Sequence, residues 1–207
     1  MPDCSSNDAR PEGEPLAGAV AALRRRDLIV YPTETLYGLG ADALDEEALA
    51  RLIALKGREP GKPISVLVSD LAMLRTLVDE IPPRALRLIE RGWPGPLTLV
   101  LPAAPTVSLS LTGGSGTIGA RISSAAIATE LVRRFGRPIT SPSANPAGGI
   151  PPTVVSQARS YFGDRVAAYV DGGPLPGEPP STVLAVEGDQ LRLIRPGVIS
   201  LEDLERW

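Results

Sequence analysis

Five cations fall in or beside segments rich in Gly, Pro and Ser: Lys56, Arg58, Lys62, Arg121 and Arg195. Arginine presents a planar fork of donors that matches carboxylate and phosphate oxygens, and lysine a compact point charge. The set suggests a pocket for anionic substrates. Histidine is absent from all 207 residues, which excludes Ser-His-Asp triads, Cys-His dyads and histidine-held metals. The one cysteine, Cys4, excludes an intrachain disulfide framework and a cysteine-built zinc site. Chemistry must rest on carboxylates, Lys, Arg, hydroxyls, backbone amides or a bound metal.

Two glycine motifs are tempting and fail on context. "GREPGKP" (57–63) is one residue short of a Walker A loop and has Pro63 where Ser or Thr is needed. It leaves a helix C-terminus and enters a strand, so the helix dipole is reversed for an anion. Any phosphate here must be held by side chains. "GSGTIG" (114–119) matches G-x-G-x-x-G, but a strand follows instead of a helix. No acid stands between Glu130 and Asp164, although the dinucleotide fingerprint wants one about 20 residues on.

The elements that must position these residues alternate early and become strand-rich late. Leu16, Ala19, Val20 and Leu23 mark a helix, closed by Arg24, Arg25 and Arg26. "DLIVYP" reads as a buried strand and "TETLYGLGADA" as a loop. Asp45 caps a second helix that carries Leu49, Leu52 and Ile53 and ends at Lys56. "PISVLV" is a strand. Leu71, Leu74 and Val78 suggest a third helix, and Pro82-Pro83 open a fourth. "LTLVL" and "TIGARI" are strands separated by a Ser/Gly loop, and a helix over 124–135 stops at Gly136. The strand "PIT", the loop "SPSANPAGGIPP", the helix "TVVSQARSYF", the strands "VAAYVD", "STVLAV" and "LRLIRP" and the helix "SLEDLERW" complete the chain. The pattern predicts an α/β fold, a single domain over 15–207 with a twisted mixed β-sheet and flanking helices, behind a disordered tail at 1–14.

Composition fits: 43% hydrophobic residues, 21 Gly and 22 Pro describe a globular chain with many tight loops. A net charge of −3 gives no reason for strong nonspecific nucleic-acid binding. The first 15 residues lack the apolar core of a secretory signal, and no apolar run approaches the roughly 20 residues of a membrane helix. A cytoplasmic protein without membrane contact is expected.

Three polar segments stand at strand ends, where α/β sheets build sites: "YPTETLYGLG", "KGREPGKP" and "SPSANPAG". Each also has a purely structural reading. Lys56-Gly57 is a favourable helix end. Arg121, in an apolar strand, is a residue that pairs with a buried carboxylate. Thr33, Glu34 and Thr35 are able to cap a turn, and "SPSANPAG" to be a plain turn cluster.

In combination and order, "YPTETLYGLGADA", "KGREPGKPISVLV", "WPGPLTLVL", "TIGARIS", "ITSPSANPAG", "STVLAV" and "LIRPG" resemble the YrdC-like threonylcarbamoyl-AMP synthase family over about residues 16–204. The chain ends soon after "RPG", as in the family's short single-domain form. The resemblance implies a large positively charged cavity and a reaction: L-threonine, bicarbonate or CO2, and ATP with Mg2+ give threonylcarbamoyl-AMP and pyrophosphate. A downstream transferase then uses the product to modify tRNA. Threonine carbamate is already an anion and needs no strong base, which suits a chain without histidine.

Carried over by motif, the resemblance puts Arg58, Lys62, Thr117, Ser143 and Arg195 on ATP, with Lys56 beside the phosphates. It puts Thr33, Thr35, Arg121, Ser141 and Ser181 on threonine, with Asn145 in support. Lys56, Arg58 and Arg121 are the residues expected to carry catalysis. No carboxylate cluster marks a metal site, so phosphates and water are expected to hold Mg2+. Two positions depart from the family pattern: Glu59 intervenes between Arg58 and Pro60, and Leu67 stands where a polar residue is frequent. A binding module for double-stranded RNA or tRNA is the competing class, opposed by the negative net charge and by only two Trp, four Tyr and two Phe. The related domain of hydrogenase maturation proteins is a third reading, but those proteins add modules for which this chain has no room.

Overall fold

The computed structural model describes residues 14–59, 61–177 and 179–207. Most of the tail expected at 1–14 lies outside the described residues; its last residue, Glu14, already opens the first helix. In chain order the first half contains α1 (Glu14–Arg24), β1 (Ile29–Pro32), β2 (Tyr37–Gly40), α2 (Glu46–Lys56), β3 (Val66–Leu67), α3 (Leu71–Arg75), α4 (Pro83–Gly92) and β4 (Leu97–Pro102). The second half contains α5 (Leu109–Thr112), β5 (Thr117–Arg121), α6 (Ala126–Phe135), β6 (Ile139–Thr140), α7 (Val155–Phe162), β7 (Ala168–Tyr169), β8 (Thr182–Glu187), β9 (Gln190–Arg195) and α8 (Leu201–Arg206).

The strands form a three-stranded sheet, β2-β1-β7, and a six-stranded sheet, β6-β3-β5-β4-β8-β9. Both mix parallel and antiparallel pairs. Backbone bonds couple them: Leu39 N–H donates to Pro142 O at 2.8 Å and Ala144 N–H to Tyr37 O at 2.8 Å. The loop 141–144 is thereby laid along β2 and brought to the open face of the larger sheet.

Residues 37–40, read as loop, form β2, which pairs antiparallel with β1. The two glycines that suggested a loop are there for space. A Cβ on Gly40 would stand 2.7 Å from Ile29 Cγ1, and one on Gly38 3.1 Å from Tyr31 Cζ. Large side chains of β1 fill the room that a glycine strand leaves. The third helix ends at Arg75, so Val78 lies outside it and bridges to Ala103. The Ser/Gly loop holds the short α5, capped by Ser108 Oγ, which accepts from Leu111 N–H.

Local signals explain α2, the helix that carries Lys56. Asp45 accepts from Ala48 N–H at 3.0 Å, and this bond holds its carboxyl below the ordinary value. Leu49 and Leu52 are fully buried, and truncating either to Ala costs about 2–5 kcal/mol. Gly57 ends the helix at φ 60°, the left-handed cap that glycine adopts freely. Among the described residues no helix is long and apolar enough to cross a membrane.

Candidate active site

A cavity of about 750 Å³ opens on one face of the six-stranded sheet. The pleat explains its floor. Successive strand side chains point to opposite faces. Thr117, Gly119 and Arg121 of β5 line the cavity, while Ile118 and Ala120 between them are buried on the core side. Thr98 and Val100 of β4 do the same against Leu97, Leu99 and Leu101.

At β9 the alternation breaks. Val183 pairs with Arg195 but Leu184 pairs with Leu193, which leaves Ile194 as an extra residue. Consecutive residues Ile194 and Arg195 therefore both line the cavity. A bulge re-aims side chains in this way.

Lys56 reaches the wall from the end of α2. It is buried, and its Nζ donates to Ser143 O and Asn145 O, each at 2.6 Å. Burial, reinforced by the Arg58 charge, pushes its pKa down to about 8. Asn145 lies behind the lining. Its Nδ2 donates to Pro146 O and Gly149 O, and its buried Oδ1 has no partner among the described residues. Arg58 is half-buried, and its Nη2 donates to Pro63 O at 2.6 Å. Burial lowers its pKa. The loop that presents it packs backbone to backbone on Gly113, where a Cβ would stand 2.7 Å from Gly61 O.

Lys62 is the nominated ATP residue that the cavity does not include. Its Nζ stands 2.7 Å from Glu59 Oε2, and both side chains are exposed. Lys62 holds the Glu59 carboxyl below its ordinary value by hydrogen bond and charge. Glu59, which breaks the family pattern, thus faces outward with Lys62.

Arg195 and Ser181 form one unit. Arg195 Nη2 donates to Ser181 O at 2.9 Å and Oγ at 3.1 Å, and Ser181 Oγ is 3.3 Å from Thr98 Oγ1. Burial lowers the Arg195 pKa. Ser141 Oγ donates to Ser65 Oγ at 3.3 Å. Ser143 and Thr117 also line the cavity, with Thr117 Oγ1 2.9 Å from Ser115 Oγ. Thr33 and Thr35 line it while shaping their turn: Thr33 Oγ1 donates to Leu36 O at 2.7 Å.

Arg121 is buried, and its pKa is pulled down to about 10 by that burial, so it stays charged at neutral pH. Its Nη1 donates to Glu34 Oε1, while Ser123 Oγ donates to Glu34 Oε2. Pairing with a carboxylate, one of the structural readings of Arg121, is present, though Glu34 is only part-buried, and Arg121 lines the cavity as well.

Ten of the twelve nominated residues thus line one cavity, with Asn145 behind it and Lys62 outside. The reading missed Ser65 and Thr98, both lining. Their signal was a hydroxyl alternating with buried aliphatics in "PISVLV" and "LTLVL". Among the described residues no group of three or more His, Cys, Asp or Glu could hold a metal, and the lining has no carboxylate. That lining does not fit a resident metal centre, which needs several carboxylate or imidazole ligands.

The chain resembles known proteins in sequence and in fold. A Mycobacterium tuberculosis protein is 40% identical over 97% of this chain and 91% of its own length. The threonylcarbamoyl-AMP synthase of Bacillus subtilis is 38% identical over 98% of this chain. The crystal structure of Pyrococcus abyssi Sua5 complexed with L-threonine matches 92% of this chain with TM-score 0.88 at 38% identity. The chain spans little over half of these last two proteins, 58% and 56%. A family model for Sua5, YciO and YrdC proteins, described as telomere recombination, matches residues 21–197. By that match, and by relatives alike over nearly its whole length, the chain belongs to the Sua5/YciO/YrdC family.

Proposed function

We propose that the chain is a threonylcarbamoyl-AMP synthase, condensing L-threonine, bicarbonate or CO2, and ATP to threonylcarbamoyl-AMP and pyrophosphate. One observation carries the reading: Lys56, Arg58, Arg121 and Arg195 line a single cavity beside serine and threonine hydroxyls, with no carboxylate in the lining. Such a surface suits two anions that must be brought together, a carbamate and a triphosphate. The L-threonine complex of the similar Pyrococcus protein gives the amino acid.

In this reading Arg58, Lys56 and Arg195 hold ATP phosphates, with Thr117 and Ser143 as hydroxyl partners. Lys62, nominated for ATP, pairs with Glu59 outside the cavity and has at most a minor part in this reading. Arg121 holds the threonine carboxylate near Thr33, Thr35, Ser141 and Ser181, and Asn145 secures Lys56. Magnesium arrives with ATP, bound to phosphates and water. The carbamate oxygen attacks the α-phosphorus, the bond to the bridging oxygen breaks, and pyrophosphate leaves with its electron pair. The carbamate needs no proton removed at that moment. The protein's task is alignment and charge neutralisation. The product is a mixed anhydride, consumed by a transferase acting on tRNA.

The test is pyrophosphate release by the purified protein. It should require ATP, threonine and bicarbonate together, and release at the same rate without threonine would overturn the reading. Arg121→Ala should raise the KM for threonine by about tenfold or more while changing that for ATP far less.

A further inference from the structure

Four cations line the cavity, and they are not alike. Among the described residues, Lys56 and Arg58 hydrogen-bond only to backbone carbonyls, and Arg195 to the carbonyl and hydroxyl of Ser181. Arg121 alone among the four has a carboxylate partner there. Glu34 is not a lining residue; it reaches Arg121 from outside the lining and is held on its other oxygen by Ser123 Oγ. Ser123 is fixed in turn: its Oγ accepts from Ala125 N–H at 3.2 Å and its carbonyl from Thr129 Oγ1 at 2.7 Å.

We infer that Glu34 is a positioning residue that sorts the two anionic substrates, cancelling the charge of Arg121 so that it receives an amino-acid carboxylate and not a polyphosphate. The inference rests on the synthase reading. A triphosphate is drawn by net charge, and a neutral pair offers it none. A zwitterion's carboxylate is recognised by directed hydrogen bonds, and a guanidinium has five N–H donors, of which Glu34 engages Nη1. Three cations are left for phosphate, and Arg121 is reserved. Without Glu34, four cations in one cavity would let ATP or pyrophosphate bind out of register over the threonine site.

The experiment is calorimetry at low salt with inorganic tripolyphosphate as the phosphate probe, followed by threonine titration with and without it. Glu34→Gln keeps the side-chain shape and removes the charge. It should bind tripolyphosphate about fivefold more tightly than the parent, and tripolyphosphate should weaken its threonine binding several-fold while leaving the parent's within about twofold. Glu34→Asp should behave as the parent. The pair-deleted Glu34→Gln/Arg121→Met protein leaves no buried lone charge and should bind tripolyphosphate like the parent. Equal tripolyphosphate affinity in folded Glu34→Gln and the parent overturns the inference. If Glu34→Gln does not fold, loss of tripolyphosphate affinity in the pair-deleted protein overturns it instead, since Arg121 would then be a phosphate ligand. If the parent binds no threonine, the synthase reading fails, and the tripolyphosphate comparison still decides the role of Glu34.

Discussion

Lys56 Nζ donates to the carbonyl oxygens of both Ser143 and Asn145 at 2.6 Å, and Ala147 N–H donates back to Lys56 O at 2.7 Å. One helix end thereby clamps the whole 143–147 loop, and the ammonium that does so is a cavity wall. Its pKa of about 8 has a consequence for binding. As pH rises through that value the cavity loses one positive charge. ATP affinity, measured without threonine, should fall as pH passes from about 7 to 9. In Lys56→Met the affinity should be lower than the parent's near pH 7, flat over that range, and close to the parent's near pH 9. A flat profile in the parent would remove Lys56 from the phosphate site.

The same shift acts on stability, with a definite sign. Unfolded, Lys56 takes its ordinary value of 10.5; folded, it titrates near 8. Between those values the unfolded chain binds more protons, so stability rises with pH across that window. The parent should gain about 3 kcal/mol relative to Lys56→Met over it. Chemical denaturation of both proteins at pH values on either side of the window measures the difference. A constant difference would mean that Lys56 titrates normally.

Arg58 and Lys62 lie four residues apart but face different surroundings. Arg58 lines the cavity, and Lys62 pairs with Glu59 at the outside. Arg58→Ala should raise the KM for ATP about tenfold or more, and Lys62→Ala by no more than about twofold, since an exposed ion pair contributes little. Glu59→Gln should then be nearly silent. Equal losses at Arg58 and Lys62 would mean that the loop closes over ATP and brings Lys62 inward.

Much of this site was legible because strand alternation and loop chemistry are local properties. Thr117 and Arg121 stand four residues apart in an apolar run and share a face, as period two demands. The 57–63 loop was separated from a phosphate loop by its spacing, by Pro63 in place of Ser or Thr and by its flanking elements. What was missed depends on distant partners. β2 looked like loop because Gly38 and Gly40 carry no strand signal until Tyr31 and Ile29 are known to fill their space. Glu34 looked like a turn residue because its bond to Arg121 spans 87 positions. The outward pairing of Lys62 could not be told from an inward one by spacing.

The last prediction concerns the glycine of "RPG". A Cβ on Gly197 would stand 2.2 Å from Pro180 O and 2.4 Å from Thr182 N, both backbone atoms with no room to swing away. Gly197→Ala must push the 180–182 segment, which carries Ser181, the anchor of Arg195. It should lower stability by about 1–3 kcal/mol and raise the KM for threonine and ATP together. Gly188 is the control. It turns the β8–β9 hairpin at φ 61° with no atom within 4 Å of a Cβ. Gly188→Ala should therefore cost about 1–2 kcal/mol through backbone strain alone and leave both KM values in place. Thermal denaturation with steady-state kinetics separates the two. If Gly197→Ala loses stability but keeps its KM values, the contact between these backbones supports the fold and not the site.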